Sequence, residues 1–133
     1  MRTLRAVFVL HGLITLAGGV VLIAFPTLIP SAVGITIAPG DYLLVYLVAA
    51  AELAVAVLSF GATGITDWAA LRLIVTTLVV LHAASGVLDI VYMARTEPNA
   101  TMISNTVLRF TVVVVFLVVW WAARRHQTPG TNR

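Results

Sequence analysis

The stretch Trp68–Ala94, WAALRLIVTTLVVLHAASGVLDIVYMA, decides the fold. Only Arg72, His82 and Asp89 bring charge-bearing side chains into it. At the ~1.5 Å rise of a helix it extends about 40 Å. The hydrocarbon core of a bilayer is only ~30 Å thick, so the segment reads as a transmembrane helix that tilts or projects. Outward from it, three further apolar runs stand at about Ala6–Phe25, Tyr42–Ala62 and Ile103–Ala123. Each supplies the roughly 20 residues a crossing needs. Barrel strands are not expected, because they alternate over ~10 residues. The expected fold is all-α, a single integral membrane domain of four transmembrane helices over residues 1–133.

Composition agrees. Of the 133 residues 61% are hydrophobic and 10% charged, against about 25% charged in soluble domains. A water-soluble fold of this size has too little interior to hide that apolar surface. The +3 net charge does not indicate nucleic acid. All eight basic residues are Arg, and most flank apolar spans instead of lining a basic groove with interleaved aromatics. With no cysteine, disulfide and thiolate-metal chemistry are excluded.

The connections carry turn chemistry. Phe25-Pro26 ends the first span, and Pro30, Gly34, Pro39 and Gly40 punctuate the loop after it. Leu28, Ile29, Val33, Ile35 and Ile37 make that loop apolar enough to lie in the membrane interface. Gly61–Asp67 is a tight connection in which Asp67 or Thr66 can cap the next helix. Thr96–Thr101 joins spans three and four, so a layout of two helical hairpins is expected. The Asn99-Ala100-Thr101 triplet is a formal glycosylation sequon. Span one exceeds the 7–15 apolar residues of a signal peptide and is expected to remain uncleaved.

Arginine placement sets the expected orientation. Arg2 and Arg5 precede span one, and Arg124, Arg125 and Arg133 follow span four. Both termini are therefore expected in the cytoplasm and the protein in the plasma (inner) membrane. Trp68, Trp120 and Trp121 then fall at the inner interface, with Tyr42 and Tyr92 at the outer one.

An ionisable side chain at mid-bilayer costs about 2.5–3.5 kcal/mol on insertion scales, so it faces protein or water and marks a candidate site. Five lie well inside the spans: His11, Glu52, His82, Asp89 and Arg109. Arg72, one turn from the span end, reads as an anchor that snorkels. At ~1.5 Å per residue from the outer boundary, Asp89 and Arg109 lie about 8 and 9 Å deep, Glu52 and His82 about 15 and 18 Å. Matched depths predict two pairs, Arg109 with Asp89 and Glu52 with His82. His11 lies about 8 Å from the inner surface.

Helical spacing adds detail. His82, Ser85, Asp89 and Tyr92 share one face, with Gly86 beside them. Asn105 and Arg109 share another, while Val112–Val119 reads as passive and lipid-facing. His11, Thr15 and Gly18, with Gly12 and Gly19 nearby, form a stripe whose ordinary role is helix packing. Ala50 and Ala54 make a small-xxx-small pair, with Ala49, Ala51 and Ala56 as further close-packing positions around Glu52. Glu52 reads either as a structural ion pair or as a protonatable or ligand-binding carboxylate. No HExxH, P-loop or dinucleotide motif occurs, and no catalytic or metal residue is assigned.

The Phe25-Pro26-Thr27-Leu28-Ile29-Pro30 exit, Gly34 and the Ala50–Ala54 stretch around Glu52 resemble small bacterial four-helix membrane proteins of the DoxX-like type. The likeness spans most of the chain in architecture and only these stretches in sequence. It implies interest in Glu52 and, through quinone-linked relatives, a quinone as cofactor. Small multidrug-resistance exporters are also short and four-helical, but their glutamate lies in the first helix, where this chain has no acid.

Three functions remain open from these residues. The leading one is a non-enzymatic protein that binds a partner membrane protein or lipid, since no catalytic motif is present. The second is a dimeric small-solute or proton-coupled transporter using Glu52 and His82. The third, a quinone- or lipid-acting oxidoreductase subunit, rests on the resemblance alone; nothing else suggests a cofactor.

Overall fold

A computed structural model describes residues 1–125. Arg133, used for the orientation above, lies outside the described residues. The chain forms α1 (Arg2–Ala24), a short α2 (Leu28–Ala32), a 3-10 turn (Pro39–Asp41), α3 (Tyr42–Ala62), α4 (Trp68–Met93) and α5 (Ala100–Arg125). Among the described residues there is no strand. Four helices are long and apolar enough to cross a membrane, and they coincide with the four runs read from the sequence.

Local chemistry explains the boundaries. Asp67 caps α4, its carboxylate accepting from the Ala70 amide at 2.7 Å, which satisfies one of the amides a helix start leaves orphaned. Asn99 does the same for α5, accepting from the Met102 amide at 2.8 Å. Its side-chain nitrogen donates to the Ala32 carbonyl at 3.3 Å, so the atom a glycan would modify ties two loops together. Gly34 turns the first loop at φ 82°, a conformation that favours glycine.

The helices form two antiparallel hairpins. α1 packs along α3, and α4 along α5. α1 also meets α5, while α3 and α4 touch only slightly. At the end that carries the amino terminus, Leu4, Phe8, Ala62, Leu71, Ile74, Val75, Leu78 and Phe116 make one core from all four long helices. At the opposite end, Leu22, Val45 and Ala49 form a smaller core within the first hairpin, closed by Ile37 from the loop.

Three packing expectations need correction. Phe116, inside the run read as lipid-facing, is wholly buried, and Val112 and Val119 pack on the same core. The close-packed alanines of α3 are Ala49 and Ala56, whereas Ala50, Ala51 and Ala54 are exposed. In α1, Gly18 has open space around it, and the tight contacts are at Gly12 and Gly19. A methyl group at Gly12 would stand 2.8 Å from the Phe60 ring, and one at Gly19 would stand 3.2 Å from the Ala49 carbonyl oxygen. The reason is shared. In a helix apolar on every side, hydropathy does not mark the face that meets protein.

Many large apolar side chains point outward, Leu43, Val57, Leu73 and Leu88 among them. Trp68 and Trp120 meet at the amino-terminal end with ring centroids 5.1 Å apart and planes tilted by 53°, while Tyr42 and Tyr46 sit together near the other end.

Candidate functional site

The five ionisable residues divide into a pair within the second hairpin, a pair that joins the two hairpins, and Glu52 on α3. α4 and α5 bring Asp89 and Arg109 together. Arg109 Nε donates to Asp89 Oδ2 at 2.9 Å, with the two side chains 29% and 25% exposed. Asn105, one turn earlier on α5, reaches the same carboxylate at 3.4 Å. Gly86 makes this approach feasible: a methyl group there would stand 2.9 Å from the Phe110 ring. The pair expected from matched depths is present.

The second expected pair is not. His82 Nε2 stands 2.8 Å from His11 Nε2, with the rings edge to face at 87°. Among the described residues Glu52 makes no hydrogen bond or salt bridge. The helix arrangement is the cause. α3 and α4 scarcely touch, so equal depth does not bring their side chains together. Glu52 is half-buried on α3.

His11 is held on three sides. Its Nδ1 lies 2.8 Å from Ser59 Oγ, its Nε2 meets His82, and the Phe116 ring stands edge-on with centroids 5.3 Å apart. Ser59 also donates to the Val55 carbonyl at 2.8 Å. The neighbouring Thr15 donates to the His11 carbonyl and serves the α1 backbone.

No family model, no curated protein and no solved structure matches this chain. The site is therefore read from its own geometry.

Two polar residues of that geometry escape the depth count. Ser59 follows Glu52 by seven residues, which places it on the same face of α3, and it is a polar residue in an apolar run. Thr106 lies one turn before Arg109 and is buried, donating to the Met102 carbonyl at 3.0 Å. His11 and His82 escape pairing because their depths are measured from opposite surfaces. On a common scale they are only about one turn apart. Among the described residues, no three His, Asp or Glu side chains converge as a metal site would require.

A second polar feature lies at the amino-terminal end. Trp68, Ala69, Arg72, Trp120 and Arg124 line an open groove of about 250 Å³ between α4 and α5. Arg125 stacks over the Trp121 ring at 3.2 Å nearby. Arg72 lies in this groove beside Trp68 and Trp120. The Arg109–Asp89 pair and the groove offer different chemistry: the first combines both signs of charge between α4 and α5, the second combines arginine with aromatic rings at a helix end.

Proposed function

We propose that this chain is a multi-pass plasma-membrane protein, both termini cytoplasmic, that binds a partner membrane protein or lipid without catalysing a reaction. The observation that carries this reading is the partly exposed Arg109–Asp89 pair inside two membrane-length helices. Charged groups at that depth are costly unless they face protein, water or a polar ligand. A polar group from a lipid or from a neighbouring helix would complete their surroundings, and their partial exposure gives it access. The groove of Arg72, Arg124, Trp68 and Trp120 suits a lipid interface, where arginine and tryptophan are enriched.

A proton-coupled transporter is the second reading, favoured by the His11–His82 contact. It shifts the histidine partner from Glu52 to His11. Extraction in mild detergent followed by native mass spectrometry separates the readings. A stoichiometric lipid or protein, lost in Arg109→Leu, is the expected result. Proton release on addition of a solute would favour transport, and a bound quinone would favour the DoxX-like alternative. Orientation is tested separately with single cysteines, which the cysteine-free chain allows. A C-terminal cysteine should resist an impermeant thiol reagent in intact cells; labelling there would overturn the topology.

A further inference from the structure

The hydrogen-bond chain Val55–Ser59–His11–His82 limits the protons its members can hold. A serine hydroxyl has one hydrogen. Ser59 Oγ stands 2.8 Å from both the Val55 carbonyl and His11 Nδ1. If the hydroxyl donates to Val55, His11 Nδ1 carries a hydrogen and donates to Ser59. His11 Nε2 is then bare and accepts from His82 Nε2–H. That leaves His82 Nδ1 bare, and this atom is buried without a hydrogen-bond partner. If the hydroxyl turns to His11 instead, every member inverts. His11 Nε2–H then donates to His82, and His82 Nδ1 carries the hydrogen. Both arrangements are neutral, and both end on the same unpartnered nitrogen.

The facing Nε2 atoms, 2.8 Å apart, require one hydrogen between them. Two N–H groups head-on at that distance would collide, and two bare nitrogens would make no bond.

We infer that His11 and His82 form a single shared proton site. In the first arrangement an added proton forms the Nδ1–H bond of His82, and His82 becomes the cation; in the second it forms Nδ1–H on His11 as the Ser59 hydroxyl turns back to Val55, which leads to the same charged pair. Transfer breaks the Nε2–H bond of His82 and forms Nε2–H on His11, which then carries the charge. A second proton would place two N–H groups head-on, so the pair holds one and no more. The bound proton makes the contact charge-assisted, and such hydrogen bonds are roughly twice as strong as neutral ones. Because His11 lies on α1 and His82 on α4, the proton tightens a tie between the two hairpins.

The groups around the pair come from each helix. α3 contributes Ser59 and α5 the Phe116 ring, both in contact with His11, and α1 contributes the buried Thr15 one turn along; the charged groups on the same faces are Glu52, seven residues before Ser59, and Asp89, seven residues after His82 and paired with Arg109 of α5.

The test is nitrogen NMR on the full chain in lipid nanodiscs, with ¹⁵N-labelled histidine. The third histidine is removed by H126Q so that only the pair reports. Lowering the pH should load one proton per chain, with both imidazoles changing at a single midpoint. A direct ¹⁵N–¹⁵N coupling should appear across the Nε2–Nε2 hydrogen bond. Two successive protonations in the folded protein would overturn the inference. So would the absence of that coupling, or no proton uptake before unfolding.

Discussion

The two ends of the bundle are built differently. At the amino-terminal end one apolar core draws on all four long helices, with Phe8 and Phe116 at its centre, their rings 5.6 Å apart. At the other end each hairpin keeps its own interior. Leu22, Val45 and Ala49 fill the first, while Gly86, Phe110 and the Asp89–Arg109 pair organise the second. One end therefore holds the hairpins together by shape, and the other leaves them room to part. His11 and His82 meet at the boundary between those regimes, against Phe116 of the shared core. The difference teaches that the histidine contact in this fold marks where four-helix packing gives way to two-helix packing.

Phe116→Ala should break the comparison most strongly. It empties the centre of the shared core, and a Phe→Ala truncation typically costs about 3–5 kcal/mol. Thermal unfolding in detergent should show a large fall in Tm. Leu22→Ala, confined to one hairpin, should cost less, and an equal or greater loss would deny the shared core its dominant role.

Gly19 and Gly18 sharpen the contrast within one helix. Gly19→Ala places a methyl group against the Leu53 side chain and the Ala49 carbonyl oxygen. Overpacking of this kind costs about 1–3 kcal/mol. Gly18→Ala meets open space, and should be neutral or gain up to about 1 kcal/mol from helix propensity. Equal Tm values for the two variants would mean that α1 does not pack on α3 through Gly19.

The ion pair is tested by a double-mutant cycle. Arg109→Ala leaves Asp89 without its partner, whereas the double change with Asp89→Ala leaves no stranded charge. A coupling energy of about 0.5–3 kcal/mol is expected from denaturant unfolding. Strict additivity would argue against contact.

The smallest effect should be at Glu52. It has no hydrogen-bond partner among the described residues, so Glu52→Leu strands no histidine. Glu52→Gln and Glu52→Leu should both melt within a few degrees of wild type. A steep loss for Glu52→Leu, with Glu52→Gln intact, would restore a buried partner for the acid. Ligand retention in the same samples shows whether binding needs the carboxylate.

Much of the candidate site is legible in the sequence because charge in an apolar run stands out. His11, Glu52, His82, Asp89 and Arg109 are found that way, and the Arg109–Asp89 pair follows from depth because α4 and α5 are adjacent in an antiparallel hairpin. Depth fails for Glu52 and His82, whose helices scarcely touch. Ser59 and Thr106 are hard to see because small hydroxyl residues also occur in apolar helices as ordinary packing and back-bonding groups.

By itself the sequence determined four membrane-length helices, their breaks and the position of each ionisable residue along its helix. Run length and rise per residue are one-dimensional properties, and bilayer thickness supplies the scale. Only the tertiary structure decided azimuth: Phe116 inward, Ala49 and Ala56 at the contact instead of Ala50 and Ala54, Gly19 instead of Gly18, and His82 on His11. The physical reason is that lipid tails and protein interiors are equally apolar. Hydropathy cannot choose between them, so the fit of side chains, backbone approach and hydrogen-bond partners makes that choice.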